Sequence, residues 1–352
     1  MDNTRWFLER VAEYVLASFT SWSAFSAGVR TALAVFTDLE SGTAWPYLLS
    51  GFVMTAGVFV WSRRTEAARW RSFGSFLFPR RILSHASAIL DYKFCAIDVL
   101  MRGIVYVPII TGVGAIGFKL MSTLLVGLCS WEPPDHLSPA QAVGAVFGLF
   151  LLHDFINYWG HVLFHKVPAL WAFHQVHHSA EVLTPITAFR AHPIEQIVPA
   201  VLQMPVFGLG VVLFQNVSPG DLGIATIGGI GIFTVICNLV GFNLRHSHVW
   251  VSFGPVFNRL LISPAQHQIH HSMDPRHLNK NFGVKLAVWD TLFGTLYVPR
   301  ERETLTVGLA GSAPHFQTVG QLYFRPFETA LTKLNFISRA TERSLDGRAI
   351  RA

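Results

Sequence analysis

Thirteen of the sixteen histidines lie between His153 and His277, leaving only His85, His136 and His315 outside. Three short boxes hold most of them: His161-Val-Leu-Phe-His165, His174-Gln-Val-His177-His178 and His267-Gln-Ile-His270-His271. On an α-helix, positions three and four apart share a face, so each box aims at least two imidazoles at one point beside the helix. Adjacent histidines diverge by about 100° around the axis, so the doublets His177-His178 and His270-His271 serve two directions. Imidazole suits iron, zinc, copper or nickel. One structural zinc closes with about four ligands, whereas the boxes offer eight, with His153, His192, His246 and His248 nearby. Two metal ions fit this supply better than one. Cys95, Cys129 and Cys237 are scattered with no paired thiol spacing, which argues against zinc-finger and iron–sulfur classes.

The elements that carry the boxes read as membrane helices. Hydrophobic residues make up 51% of the chain and charged residues 14%, against roughly 25% charged in soluble domains; mean hydropathy is +0.40. Apolar stretches run over Trp45 to Trp61, Gly103 to Cys129, Ala142 to Phe164, Gln196 to Val217 and Asp221 to Phe242. A span needs ~20 such residues. The first stretch is marginal in length, the second is interrupted by Lys119 and several glycines, and the last three are long enough. The expected fold is all-α, a multi-pass membrane helical bundle of about four core spans, with a histidine-rich cap holding a dimetal site.

Charge bias orients the bundle. The segment Ser62 to Arg81 carries Arg63, Arg64, Arg69, Arg71, Arg80 and Arg81, whereas Ser130 to Ala140 carries Glu132 and Asp135 and no basic residue. Positive residues favour the cytoplasmic side, which sends the stretch 142–164 inward and brings every box to the cytoplasmic face. Residues 1–44 read equally as an interfacial amphipathic helix or a span. The excess of 27 Lys+Arg over 21 Asp+Glu sits beside membrane segments, where anionic lipid explains it, so nucleic acid is not an expected partner. Met1 to Arg10 shows no cleavable signal pattern. There is no internal repeat, and the tail from Arg339 reads as disordered.

Five further runs carry a resemblance. His153-Asp-Phe-Ile-Asn-Tyr-Trp-Gly-His161 leads into the first box, Phe189-Arg190-Ala-His192-Pro193 follows the second, and Ser263-Pro264-Ala-Gln leads into the third. Asn281-Phe-Gly283 and Trp289-Asp290-Thr-Leu-Phe293-Gly294-Thr295 come after it. Over roughly Ala142 to Pro299 the chain resembles the fatty acid hydroxylase and sterol desaturase superfamily. The resemblance implies two nonheme irons held mainly by histidines and oxygen-dependent attack on a C–H bond of a membrane lipid. It also implies O2 and an external electron donor of cytochrome b5, ferredoxin or reductase type, because no Gly-rich dinucleotide motif or haem domain is evident. Zinc is the expected substitute in purified material, by affinity order. The sequence departs from the family at His248, where Asn is common two residues after the position of His246.

On these grounds the expected metal ligands are His161, His165, His174, His177, His178, His192, His246, His267, His270 and His271. For His192 and His246 a supporting or capping role is the alternative. His153 is read as a ligand or as part of a substrate channel wall, on one stripe with Asn157; His248 as a replacement, a supplement or a mere neighbour of the usual ligand. Asp154 and Asp290 are read as carboxylates that orient imidazole N–H groups, with turn capping the alternative for Asp290. His277 reads as a surface residue. Ser263, Pro264 and Gln266 spell a capping box that starts the third-box helix. Phe155, Trp159, Phe164, Trp171 and Phe173 are read as lining a lipid path or as packing.

The expected organisation is an amphipathic or membrane-associated region at 1–44, membrane helices with a basic cytoplasmic segment at 45–141, the hydroxylase-like domain at 142–299 and a cytoplasmic tail at 300–352. The reading that follows is hydroxylation of a lipid acyl chain or head group. Sterol or isoprenoid desaturation or methyl oxidation is the alternative, and a histidine-rich metal binder or transporter the non-enzymatic one. The expected location is the inner membrane of a bacterium or the endoplasmic reticulum of a eukaryote, with the site facing the cytoplasm.

Overall fold

A computed structural model describes residues 16–39, 42–62, 72–223, 225–227, 230–309 and 316–349, with side chains as far as residue 334. Residues 1–15 and four arginines of the orienting segment, Arg63, Arg64, Arg69 and Arg71, lie outside the described residues. The described residues are mostly helical, with almost no strand.

Helix α1 (Trp22–Leu33) opens on Ser21, whose side chain accepts from the Ala24 N–H. At about 18 Å it is too short for a hydrocarbon core of about 30 Å. It packs instead against a widened turn at Arg102–Tyr106, with Gly28 against Gly103. Helix α2 spans Trp45–Ser62. Helices α3 (Ala86–Met101) and α4 (Val107–Ser122) run on through that π turn into a second one at Thr123–Leu128, making one apolar rod of 43 residues. Pro108 in a regular helix would clash with the carbonyl four residues back, and the π turn just before it relieves this.

Helix α5 (Pro139–Lys166) starts from a capping box between Ser138 and Gln141. Its 28 residues extend about 42 Å, so its last turns, with His161 and His165, reach beyond a bilayer core. Val167 is extended ahead of Pro168, as residues before proline are, and this breaks the rod and starts α6 (Pro168–His178). Helix α7 (Ile194–Phe214) lies along α4. The two meet at Gly117 and Gly208, where a Cβ on either would run into the other backbone. Thus, among the described residues, α2, the α3–α4 rod, α5 and α7 are the four helices long and apolar enough to cross a membrane.

The stretch Asp221 to Phe242 is not among them, contrary to expectation. It forms a short turn of helix at Pro219–Leu222 and a hairpin pairing Thr226 with Gly231 and Ile227 with Ile230, followed by α8 (Ile232–Leu239). Gly223, Gly228, Gly229 and Gly231 explain this, since each glycine costs a helix about 1 kcal/mol. The segment still climbs along α5. Ala225 packs on Ala142 and Val146, and Asn238 Oδ1 accepts from Lys285 Nζ at 2.7 Å, beside the Asp154 level of α5.

The cap is completed by α9 (Pro264–His270), α10 (Val288–Phe293) and α11 (Val319–Ala349). The segment expected as a disordered tail is therefore largely helix, with backbone described through Ala349. Ahead of that segment, Leu322 and Ala330 on one face of α11 pack on α3 and α6: Leu322 with Phe94 and Val176, Ala330 with Ala172 and Phe173. That contact braces the helix carrying the second box.

Candidate metal centre

The three boxes and His246 converge as two groups. His161, His165, His174, His178 and His270 form one, and His177, His246, His267 and His271 the other; in each, one ring nitrogen per residue lies within 4.8 Å of all the rest. The pattern follows from helix geometry. In α6, His174 and His178 share a face and turn to the first group, while His177 points to the second. In α9, His270 enters the first group, and His267 joins His271, just past the helix end, in the second. The doublets thus divide between the two groups.

The donor atoms are arranged as ligands would be. His246 Nε2 lies 3.1 Å from His177 Nε2, 3.1 Å from His271 Nε2 and 2.9 Å from His267 Nε2. One imidazole nitrogen has either one proton or one lone pair, so it cannot satisfy three such contacts by hydrogen bonding. Nitrogens bound about 2.0–2.1 Å from a single ion would sit at such separations, so this donor set fits a metal. In the five-histidine group, Nε2 of His165 and of His270 are buried without any partner.

Bonds from behind set several rings. His161 Nδ1 is 2.8 Å from the Phe282 carbonyl and His270 Nδ1 is 2.8 Å from the Lys280 carbonyl. A carbonyl only accepts, so Nδ1 carries the proton and Nε2 presents its lone pair. His174 Nδ1 lies 2.6 Å from Glu195 Oε2, the arrangement expected of a carboxylate that orients a ligand. Burial, then neighbouring imidazoles, pushes His178, His246, His267 and His271 well below the usual histidine range, and brings His177 down to about 3. The rings are therefore neutral at physiological pH, the form that binds metal.

Several expected residues stand elsewhere. His192 joins neither group: its Nε2 is 3.0 Å from the Tyr323 carbonyl on α11, and its Nδ1 accepts from the Ile194 N–H at 3.2 Å. His248 donates to the Phe76 carbonyl at 2.7 Å. His153 lies deeper in α5 beside Phe207, and Asn157 is half-buried on the same helix; neither joins a group. His277 is buried rather than superficial, with Nε2 3.0 Å from Glu303 Oε2.

Among the described residues, neither aspartate accepts a hydrogen bond from an imidazole. Asp154 accepts from the N–H groups of Lys285 and Leu286 and from Trp289 Nε1, each at 3.0 Å. Asp290 accepts from the Phe282 and Gly283 N–H groups at 2.8 and 2.7 Å. It thereby holds the loop whose Phe282 carbonyl sets His161, an indirect form of the expected orientation. Asn281, left-handed at φ 58°, donates to the Gln266 carbonyl and ties that loop to α9. Ser263 and Gln266 make the expected capping box. Glu195 was not anticipated; its position three residues after His192, in the first turn of a helix behind Pro193, is the signal that marks it. Its second oxygen accepts from the His192 N–H at 2.9 Å.

A cavity of about 480 Å³ borders His161, His246 and His267. Its apolar wall includes Val35, Ile110, Phe189 and Phe242 rather than the aromatics expected there. Phe155 and Trp159 pack on Phe293, Phe164 on His174, and Phe173 on His192. Trp171 packs on His165 and His178 and lines a second cavity of about 320 Å³, which borders His165, His178, His270 and His271.

A bundle of helices apolar enough to cross a membrane, whose cap gathers nine imidazoles in two groups that could each hold a metal ion, defines the class of this site. Residues 146–295, under half of the chain, match the fatty acid hydroxylase family. It is 32% identical over 181 residues to an ornithine lipid hydroxylase of Rhizobium tropici, covering 50% of each chain. It is 30% identical over 165 residues to an alkylglycerol monooxygenase of Xenopus tropicalis, covering 46% of this chain and 32% of the relative. A very-long-chain aldehyde decarbonylase of Oryza sativa subsp. indica is 27% identical over 171 residues, 46% of this chain and 25% of the relative. The match thus spans half or less of the length of these relatives. No solved structure matches the chain.

Proposed function

We propose that the chain is a membrane-bound, O2-dependent lipid hydroxylase that uses two irons. His161, His165, His174, His178 and His270 would hold one ion, and His177, His246, His267 and His271 the other. The carrying observation is the pair of convergent imidazole groups opening on a cavity with apolar walls. Bound iron would supply the redox chemistry that activates dioxygen, which zinc cannot. The chain's own part is to keep the rings neutral, fix their tautomers through Phe282, Lys280 and Glu195, and seat a lipid beside His246 and His267. A C–H bond must lie within near-attack distance of the oxidant for this to work, and the cavity is where the chain can place it.

Hydroxylation is preferred to desaturation because two of the relatives are named as a hydroxylase and a monooxygenase. Metal transport is less well supported, since the groups lie together in the cap and not along a path through the bundle. An external one-electron donor of cytochrome b5, ferredoxin or reductase type supplies the electrons in this reading. The cap faces the cytoplasm, and cysteine labelling near Pro134 from outside and near Met273 only from inside would support that orientation. The activity is tested by growing expressing cells under labelled dioxygen with a compatible donor. A lipid carrying the label supports hydroxylation, one lighter by two hydrogens without label supports desaturation, and neither product would remove the oxygenase reading.

A further inference from the structure

The wall of the 480 Å³ cavity includes Arg245, Asn243 and Arg102, and each of these side chains keeps at least one N–H group without an acceptor among the described residues. Arg245, directly before His246, is 5% exposed, and its guanidinium makes no ion pair among the described residues. Its terminal nitrogens donate to the carbonyls of Val284 and Ile262, it lies over the Phe242 ring, and its buried Nε–H has no acceptor. Two residues back, the Asn243 amide nitrogen is also buried and unpartnered. Arg102, placed on the wall by the π turn, gives its Nε–H to Asp98 at 2.8 Å and leaves its terminal nitrogens free of any described bond.

Charge points the same way. Lys285 is buried with its Nζ 5.1 Å from the centre of the same Phe242 ring, and its described hydrogen bond goes to a neutral acceptor, Asn238. Asp154, the nearby carboxylate, is already committed to two backbone N–H groups and an indole. Nine neutral imidazoles would bring no negative charge to two cations. Asp38, the carboxylate on the cavity wall, is solvent-exposed. A buried charge without a counter-charge is costly, and an unmade buried donor adds to that cost.

We propose that the cavity takes a lipid with an anionic head group, a carboxylate or a phosphate, seated on Arg245, Asn243 and Arg102. Because Arg245 adjoins His246, the head group then lies beside the metal centre. The C–H bond attacked is close to the head group, and the acyl chain leads away along Val35, Ile110 and Phe189. This rests on the oxygenase reading of the same cavity and narrows its substrate class.

The test uses the full, metal-loaded chain in detergent and measures equilibrium binding of four probes: N-palmitoylglycine, its methyl ester, palmitoyl-glycerol phosphate and neutral monopalmitoylglycerol. Wild-type chain should bind an anionic probe about tenfold or more tighter than its neutral partner, the size of one charge-assisted hydrogen bond. Arg245→Gln should abolish the preference and Arg102→Gln reduce it, with metal content unchanged. Preference for the carboxylate pair, the phosphate pair or both identifies the source, and each supports the proposal. Equal binding of charged and neutral probes by wild type overturns it whatever the variants do, as does a preference that survives both substitutions. If Arg245→Gln does not fold, the wild-type comparison and Arg102→Gln decide. Oxygen incorporation without anion preference would sink this inference alone, whereas anion preference without any labelled or desaturated product would sink the oxygenase reading and leave the anion site standing.

Discussion

In the five-histidine group, His161, His270 and His174 are each held from behind, by the Phe282 and Lys280 carbonyls and the Glu195 carboxylate. In the four-histidine group, His267 leaves Nδ1 buried with no partner among the described residues, and the Nε2 atoms crowd against one another. The first group is organised by the cap before any metal arrives. The second has fewer such supports, so under the proposed reading it would rely more on a bound ion. It also contributes two of the three histidines that border the 480 Å³ cavity. The more loosely supported group is thus the one nearer the proposed substrate, while the better supported one borders the second cavity.

Loss of one imidazole is the largest expected effect. His267→Ala should lower metal content from two ions toward one per chain and take lipid conversion below detection. His165→Ala should abolish conversion equally, so two retained ions and normal turnover in either variant would break the two-group assignment.

Chelation sharpens the comparison next. Metal release should be biphasic, with the four-histidine group emptying first. Glu195→Gln should weaken the slower phase by about 10- to 100-fold, the usual cost of removing an outer partner of a ligand. A single phase, unmoved by that substitution, would mean the backing bonds do not distinguish the groups. Asp290→Asn acts one step further out, through the Phe282 loop, and should cost about tenfold or less in the same measurement.

Acid should affect the metal-free chain in a defined direction. Buried His177 and His192 are pushed down to about 3 and about 4 by desolvation, against about 6.5 in an unfolded chain. The folded state then binds fewer protons than the unfolded one, so this contribution to stability is complete above pH 6.5 and is lost as pH falls toward those values. Denaturant midpoints of the metal-free chain measured from pH 7.5 down to 4 should decline steadily; a flat profile would contradict the burial of neutral rings. The smallest effect belongs to His248→Asn. It should leave two ions bound and cost about 1 kcal/mol, one hydrogen bond, in thermal unfolding.

Much of the candidate site was legible because helical spacing is local. The three boxes need only the 100° step of an α-helix to predict which rings face together, and His177 and His178 diverge as that step requires. The capping box at Ser263 is local for the same reason. Asp221 to Phe242 misled because its apolar content resembles a span, whereas its glycines weaken the helix and packing on α5 supports an irregular path. His192 was drawn to the site by motif position, although its ring bonds the Tyr323 carbonyl of a helix 131 residues away.

Residue types and short-range periodicity by themselves determined a helical membrane protein with imidazole boxes at one end of its helices, enough for two metal ions. Only tertiary structure decided which nine rings share which group, that Glu195 and the Phe282 and Lys280 carbonyls set their tautomers, and that Arg245 stands unpaired beside them. The physical reason is range. A helix turn places neighbours within one box, but convergence of α5, α6, α9 and the His246 turn depends on contacts between distant segments, which no single box encodes.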